Sequence, residues 1–375
     1  MKKVLIMMNN LAGGGAEKVL INLMDNFDYK NYTVDLFLLR KEGVYLENVN
    51  SNVTILNLFD IKIINNNLFG ILRKIYIALV VRFFIIFPEV FYKLNIKKNY
   101  DVEIAYMEGQ VTAILSGSLN KKSRKVAWVH TDLMKYKTFT LRKQKKIYKN
   151  YDSIVCVSEE SKQSFLKLFE DYSIKVTSIP NIIDIDEINK LANEKTNHIF
   201  KNNTIIVVGR LIESKRFDLI INAHRLLLDE NINNELIIVG DGYKKNQLME
   251  LAKELKVDKS VLFKGFLKNP YPYMKNADIV VLCSDYEGLP TVLCEAIVMN
   301  KAIVTTNFTG VDSLLNFGQF GMVIEKNNYI ALKDGLKRIF TNRKLKEDYE
   351  LKCDQRKSIF DTKNVMKQVY DLIDK

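Results

Sequence analysis

Short apolar runs recur along the whole chain, each followed by a polar turn and then by a segment with helical spacing. The runs are five to eight residues long and rich in Val, Ile and Leu, which is typical of strands buried on both faces of a parallel sheet. This order predicts an α/β protein. The predicted strands are residues 2–8, 33–40, 53–58, 101–107, 125–130, 153–158, 204–210, 235–241, 261–266, 278–283, 302–306 and 321–325.

One of these units, SDYEGLPTVLCEA at 284–296, carries the most chemistry. A buried run ends at Cys283, a turn with Gly288 and Pro290 follows, and a helix is predicted from Thr291. Proline suits the first helical turn, where its missing N–H has no partner to lose. A strand, a glycine turn and a helix N-terminus together point backbone N–H groups at one place, which favours an anion such as a diphosphate.

Glu287 and Glu295 bracket this unit, and their spacing is about 2.2 helical turns, so both carboxylates can face one ligand. A natural division assigns the N–H groups and nearby cations to a diphosphate, and the carboxylates to sugar hydroxyls. The alternative is a capped helix with two solvated glutamates, because strand–turn–helix units are common in α/β folds.

A second glycine turn, Gly13 to Gly15, follows the first strand and opens a helix. Glycines let the backbone approach a ligand closely. The loop is neither a dinucleotide-binding fingerprint nor a P-loop, so a nicotinamide site is poorly supported. A glycine turn with no ligand remains the alternative.

His130 follows the strand at 125–130, at the end where open α/β sheets bind ligands, although a lone histidine is more often structural. Asp132 is close enough in sequence to orient it or to contact an acceptor. The formal D-x-D at 184–186 has no identifiable partner ligands, so no metal site is predicted.

Composition narrows the class of protein. With 375 residues the chain suits two domains, and its four cysteines and three histidines have no zinc-ligand spacing. The separated cysteines suggest reduced, core-like thiols. The net charge is +12, and residues 1–184 hold 27 Lys and Arg against 18 Asp and Glu, which favours anionic partners over simple solubility charge. The N-terminus lacks the features of a signal peptide.

Residues 68–98 are apolar with basic flanks. The apolar run at 75–87 contains Arg82 and is shorter than the ~20 residues that span a bilayer. One or two helices on an anionic membrane surface are therefore predicted, with a buried core helix as the alternative. Residues 121–149 hold eleven Lys and Arg, but no nucleic-acid-binding motif accompanies them, so no nucleic acid partner is expected.

Taken together, the motifs resemble those of the retaining GT-B glycosyltransferases of family 4, also called glycosyl transferases group 1. The 284–296 unit is similar to the family's E-x7-E signature, and six further segments resemble its pattern in the same order over nearly the whole chain. They are GGGAEKVL at 13–20, HTD at 130–132, IPNIID at 179–184, VVGRLIESKR at 207–216, VGDGYKKNQL at 239–248 and FKGFLKNPYPYM at 263–274. Ile182 stands where the family usually has glycine.

The resemblance implies two Rossmann-like parallel-sheet domains that face each other across a cleft. Residues 1–184 would bind the acceptor and residues 185–360 a nucleotide sugar, with a helix at 361–375 packing back on the first domain. It implies catalytic roles for His130 and Glu287. It also implies that the donor is bound by Gly14, Gly15, Arg210, Lys215, Leu267, Gly288, Leu289, Thr291, Val292 and Glu295.

The implied reaction transfers a hexose or N-acetylhexosamine from a nucleoside-diphosphate sugar, with UDP as the expected nucleotide, and retains the anomeric configuration. No cofactor and no metal are expected. The expected acceptor is a lipid-linked glycan in bacterial surface-polysaccharide assembly, and the expected location is the cytoplasmic face of the cell membrane, as a peripheral protein. The alternatives are a non-catalytic membrane or polyanion binder on the same scaffold, and a GT-B sugar-nucleotide epimerase.

Overall fold

The computed structural model describes residues 1–60, 68–136, 138–200 and 203–375. The chain forms two compact units: unit 1 is Met1–Ile182 with Thr362–Lys375, and unit 2 is Ile183–Asp361. Each has its own parallel sheet with helices between successive strands. The predicted α/β class with two Rossmann-like domains is confirmed.

Unit 1 contains a seven-stranded sheet in the order β3-β2-β1-β4-β5-β6-β7. Every strand pair in it is parallel; Leu5 of β1, for example, lies opposite Asp35 of β2. The strands are β1 Lys2–Met8, β2 Tyr32–Arg40, β3 Thr54–Phe59, β4 Val102–Ala105, β5 Arg124–Val129, β6 Ser153–Cys156 and β7 Val176–Ser178. The helices are α1 Gly15–Asp25, α2 Leu68–Ile86, α3 Pro88–Asn95, α4 Gln110–Leu115, α5 Leu141–Lys149, α6 Glu159–Leu168 and, at the end of the chain, α15 Thr362–Asp374.

Unit 2 contains a six-stranded parallel sheet in the order β10-β9-β8-β11-β12-β13. Its strands are β8 Thr204–Val208, β9 Glu235–Val239, β10 Val261–Gly265, β11 Ile279–Leu282, β12 Ala302–Thr306 and β13 Met322–Ile324. Its helices are α7 Ile185–Ala192, α8 Phe217–Asp229, α9 Lys245–Glu254, α10 Tyr271–Asn276, α11 Thr291–Val298, α12 Val311–Leu315, α13 Tyr329–Thr341 and α14 Arg343–Arg356.

Apolar side chains on both faces of each sheet explain why the strand runs are continuous rather than alternating. In β8, Ile205 packs into the core on one face and Ile206 into the core on the other, because successive strand residues point to opposite faces. Two layers of helices then cover the sheet.

Helix α2 packs on unit 1 through one narrow stripe, formed by Ile77, Val81 and Phe84. Burying these three side chains contributes about 1.5–3 kcal/mol each to stability. The rest of the helix surface is mostly exposed, and Phe69 and Leu79 are 83% and 61% accessible. Residues 68–98 are therefore two helices joined at Phe87, attached to the core by one face.

The last helix belongs to unit 1, although it follows unit 2 in sequence. The ring of Tyr370 stacks on Tyr32 of β2 at 5.2 Å between centroids. The hydroxyl of Tyr32 donates to Asp374 at 2.7 Å, and Lys2 donates to the carbonyl of Ile373 at 2.9 Å. These contacts hold α15 against the amino ends of β1 and β2.

Candidate active site

The order in which strands are added to the unit 2 sheet reverses between β8 and β11. The chain adds β9 and β10 on one side of β8, then returns to place β11 on the other. In open α/β sheets, ligands bind at the carboxyl ends of the strands at such a point. Arg210 follows β8 here, and Ser284 to Glu287 follow β11. The sheet topology therefore brings these two predicted motifs to one edge.

Glu287 is the centre of a charged network at this edge. Its Oε1 pairs with the ammonium group of Lys215 and accepts a hydrogen bond of 2.6 Å from the Ser284 hydroxyl. The Lys215 and Glu287 side chains are 20% and 18% exposed. The Asp285 N–H also donates to the Ser214 carbonyl at 2.8 Å, which ties the two loops together. Arg210 is exposed at the same edge.

Glu295 is held by a different partner from that of Glu287. It lies on α11 and is 8% exposed, and its Oε1 accepts a hydrogen bond of 2.9 Å from the buried Tyr271 hydroxyl. With Glu287 in its ion pair, neither carboxylate is a solvated surface group, as the alternative interpretation required. Helix α11 begins directly after Pro290.

The backbone at the start of α11 offers hydrogen-bond donors. The N–H groups of Leu293 and Cys294 bond to the Pro290 carbonyl at 3.0 and 3.2 Å. Those of Thr291 and Val292 precede them in the first turn, where helix geometry provides no intrahelical acceptor. Gly288 and Leu289 form the turn before them, with Gly288 buried.

Two glycines explain how the loop after β9 fits beside the loop after β8. Gly240 has φ +142°, and a Cβ there would lie 1.8 Å from the Gly209 carbonyl oxygen. A Cβ on Gly242 would lie 2.3 Å from the Leu211 carbonyl oxygen. The GDG sequence at 240–242 is thus a tight turn packed against the loop that contains Arg210. Leu267, which follows β10, is half-buried.

The order in which strands are added to the unit 1 sheet reverses between β1 and β4. Gly13 has φ +113° in the loop after β1, and Gly14 caps α1, which starts at Gly15. A Cβ on Gly14 would lie 2.2 Å from a carboxylate oxygen of Glu17. Glycine at position 14 therefore allows the Glu17 side chain of α1 to lie close to the backbone of this loop.

His130 follows β5, the strand beside β4. Its ring packs on Tyr106 at 4.8 Å between centroids, and its Nε2 is shielded from solvent and has no hydrogen-bond partner among the residues that the structure describes. Burial lowers the pKa of His130 to about 3, so the imidazole is neutral at physiological pH. The backbone N–H of His130 donates to Glu108 at 2.9 Å.

The Asp132 carboxylate is buried and hydrogen-bonded within unit 1. Its carboxylate accepts hydrogen bonds from the Ser164 hydroxyl and, at 2.9 Å, from the Met134 N–H. Asp184, from the D-x-D sequence, caps α7 by accepting from the Glu187 N–H at 2.8 Å. Both carboxylates have local structural tasks.

Sequence reasoning missed two carboxylates at the edge of unit 1, Glu17 and Glu108, each 9% exposed. Burial raises the pKa of Glu108, and the negative charge of Glu17 raises it further. The available signal was position: Glu108 comes three residues after β4, where a parallel sheet presents its ligand-binding edge.

Comparison with known proteins agrees with this architecture. A model described as Glycosyltransferase Family 4 matches residues 13–187, and one described as Glycosyl transferases group 1 matches residues 189–353. The chain belongs to glycosyltransferase family 4.

Among curated members, a Campylobacter jejuni protein is 32% identical over 215 residues, covering 56% of this chain and 58% of that protein. It is named N-acetylgalactosamine-N,N'-diacetylbacillosaminyl-diphospho-undecaprenol 4-alpha-N-acetylgalactosaminyltransferase. The chain thus spans little more than half the length of that relative. An Escherichia coli UDP-Gal:alpha-D-GlcNAc-diphosphoundecaprenol alpha-1,3-galactosyltransferase is 25% identical over 306 residues, covering 74% of this chain and 75% of that protein.

Among solved structures, the Anabaena protein HepE in complex with UDP is similar over the full length of both chains, with a TM-score of 0.72 at 18% identity. This family 4 chain therefore has the GT-B fold.

Proposed function

We propose that the protein is a retaining, metal-independent glycosyltransferase that moves a hexose or N-acetylhexosamine from a UDP-sugar to a lipid-linked glycan in bacterial polysaccharide assembly. The observation that carries this proposal is the network at the switch point of unit 2. There Lys215, Glu287 and Ser284 lie at the same sheet edge as the exposed Arg210.

The chemistry of the leaving group explains this arrangement. As the glycosidic bond breaks, negative charge accumulates on the nucleoside diphosphate, and fixed cations beside it lower the barrier. We assign that task to Arg210, which can bind phosphate with two donors, and to Lys215. The first N–H groups of α11, at Thr291 and Val292, would add to them.

The carboxylates and the remaining donor residues are assigned to the rest of the nucleotide sugar. Glu295, held by Tyr271, would accept hydrogen bonds from the ribose, and Glu287 from the transferred sugar. Gly288 and Leu289 would let the backbone approach the sugar, and Leu267 would lie near the base. In unit 1, we assign Gly14 and Gly15 to the diphosphate side of the substrate and the neutral His130 to the reacting sugar.

The names of relatives support the substrate classes. The Escherichia coli relative uses UDP-Gal, and it and the Campylobacter jejuni relative act on diphospho-undecaprenol-linked sugars. HepE was solved with UDP.

A peripheral position on the cytoplasmic face of the membrane fits the surface of α2 and α3. Within the described residues no single helix has the length and apolarity to cross a bilayer; the two helices meet those criteria only as a pair, with a bend of 107° between them. Exposed apolar side chains there include Leu72, Leu79 and Phe83. Exposed basic ones are Arg73, Lys74, Arg82, Lys93, Lys97 and Lys98. This mixture suits an anionic lipid interface.

Ligand-induced thermal stabilisation tests the donor site. UDP, GDP, ADP and CMP are compared on the wild type and on Arg210→Ala, with Arg225→Ala of the same unit as the control. A nucleotide at 100 times its Kd adds about 2.7 kcal/mol. We expect UDP alone to stabilise the wild type and the control, and the effect to fall in Arg210→Ala. No stabilisation by any nucleotide would reject the donor site, and equal shifts in all three proteins would reject the role of Arg210 in it.

Vesicle sedimentation tests the membrane surface. We expect binding to vesicles of phosphatidylcholine with phosphatidylglycerol, little binding to phosphatidylcholine alone, and loss of binding in Leu72→Asn/Leu79→Asn. The matched control is Ile330→Asn/Leu351→Asn, which changes two exposed apolar residues of unit 2. Equal binding by both variants would rule out this surface.

A further inference from the structure

The side chain of Glu108 joins two strand ends of unit 1. It follows β4, and its Oε2 accepts a hydrogen bond of 2.9 Å from the backbone N–H of His130, which follows β5. A hydrogen bond from a backbone N–H to a carboxylate is shorter and stronger than one to a neutral acceptor. Glu108 is also buried, so water competes little for this bond.

The residue after Glu108 explains why the chain can place it there. Gly109 has φ +97° and ψ −117°, a conformation that residues with a side chain rarely adopt. A Cβ on Gly109 would also lie 3.3 Å from the Thr138 methyl carbon. The chain turns sharply at this glycine and enters α4, which leaves Glu108 at the strand end.

Glu108 also has a neighbour on α1, the helix that the glycine loop opens. The negative charge of Glu17 acts on it, and a carboxylate oxygen of Glu17 lies against Gly14. The loops after β1, β4 and β5 therefore meet around Glu108, at the point where the sheet order reverses.

This backbone carries the imidazole ring of His130. His130 is neutral and rests on Tyr106, and its Nε2 is without a hydrogen-bond partner among the described residues. A buried polar atom left without a partner is costly, so such an atom calls for an explanation. The position of Nε2 depends on the position of the His130 main chain. Glu108 holds that main chain through its hydrogen bond to the His130 N–H.

We propose that Glu108 is a positioning residue for the sugar transfer: it fixes the main chain of His130, so that the imidazole stays where the reacting sugar binds. The inference rests on the proposed function for its catalytic part. Misplacing a catalytic group by 1 Å costs about 100-fold in rate, and this sets the expected effect.

Three variants test the proposal. Glu108→Ala removes the acceptor, Glu108→Gln keeps an oxygen that can accept the His130 N–H, and Glu103→Ala is the control. Glu103 lies on β4 and is also a buried carboxyl group with a raised pKa, but it is not at the ligand-binding edge. Each variant is assayed below its own Tm for kcat, for the KM of the UDP-sugar and for stabilisation by UDP.

We expect kcat to fall about 100-fold in Glu108→Ala with little change in stabilisation by UDP. Glu108→Gln should regain most of the rate, and Glu103→Ala should lower Tm but keep the wild-type kcat. A kcat for Glu108→Ala that matches Glu103→Ala would overturn the proposal.

The ring signals of histidine give a readout that needs no substrate. The chain has three histidines, so the ¹³C–¹H correlation of His130 can be assigned with His130→Gln. We expect it to move in Glu108→Ala and to stay in place in Glu108→Gln and Glu103→Ala. An unmoved signal in Glu108→Ala would refute the positioning role even if the wild type transferred no sugar, and lack of transfer would count against the proposed function alone.

Discussion

Removing the ammonium group of Lys215 should affect stability and catalysis together, whereas removing the Arg210 guanidinium should affect catalysis alone. Lys215 is paired with Glu287, and both side chains are about four-fifths buried. Arg210 is exposed. The two cations share the proposed task on the diphosphate, but among the residues that the structure describes only Lys215 is part of the charge network around Glu287.

The magnitudes follow from burial. Exposed ion pairs contribute about 0.2–1 kcal/mol, and breaking a fully buried pair costs about 3–5 kcal/mol. The Lys215–Glu287 pair is intermediate, so Lys215→Met should destabilise by about 1–3 kcal/mol. Since 1 kcal/mol shifts Tm by about 2–4 °C in a protein of this domain size, the expected loss is about 2–12 °C. Arg210→Met should change stability by less than about 0.5 kcal/mol.

The double variant Lys215→Met/Glu287→Gln separates the two effects. It removes both charges, so no unpaired carboxylate remains, and most of the lost stability should return. Its rate should not return, because each variant lacks charge stabilisation that we expect to be worth about 100–1,000-fold in kcat. Thermal unfolding and initial-rate transfer assays measure the two quantities.

A stable, fully active Lys215→Met would refute this reasoning, since it would show that the pair contributes to neither quantity. Destabilisation that persists in the double variant would show that Lys215 acts through packing rather than through Glu287.

Three further outcomes follow from the structure. Burial raises the folded-state pKa of Glu103, so the contribution of this group to stability should fall as pH rises above about 4.5. Glu103→Gln should remove that contribution, so its stability relative to the wild type should be higher at pH 8 than at pH 5, as urea unfolding at the two pH values would show. Gly240→Ala should destabilise by more than about 1 kcal/mol, measured by thermal unfolding, because its Cβ would meet the Gly209 carbonyl. Gly265→Ala, at φ +70° but with no described atom within 4 Å of its Cβ, should cost less. All four cysteines are buried, and burial raises the pKa of each thiol; iodoacetamide labelling followed by mass spectrometry should therefore modify them only after unfolding.

Secondary structure was predicted best where an apolar pattern extended over many residues. The predicted strand at 2–8 coincides with β1, because residues 4–8 form a continuous apolar run that is buried on both faces of the sheet. Strand β7 was missed, since three residues are too few for a periodic pattern. Helix α4 has only six residues and begins after a glycine. Its weak signal explains why Glu108, just before it, was missed as well.

Spacing also predicted which residues lie near the start of α11 better than it predicted their partners. The E-x7-E pattern placed Glu287 in the turn and Glu295 on the helix. It did not predict that Glu287 pairs with Lys215 or that Glu295 bonds to Tyr271. Those partners come from β8's loop and from α10, and contacts between distant segments depend on the folded sheet rather than on local sequence. The same limit applies to residues 68–98, where composition alone left membrane and core open.

The two switch points differ in charge, and this difference favours assigning the diphosphate to unit 2. At the edge of unit 2, Arg210 is exposed after β8, and Lys215 pairs with Glu287 in the turn before α11. At the edge of unit 1, Glu17 and Glu108 are carboxyl groups and His130 is neutral. The cations of unit 2 attract the negative charge of a diphosphate, whereas the carboxyl groups of unit 1 can hydrogen-bond with sugar hydroxyls. We therefore expect the same sheet topology to provide a cationic site in unit 2 and a hydroxyl-binding site in unit 1, which would suit the proposed transfer from a nucleotide sugar to a glycan.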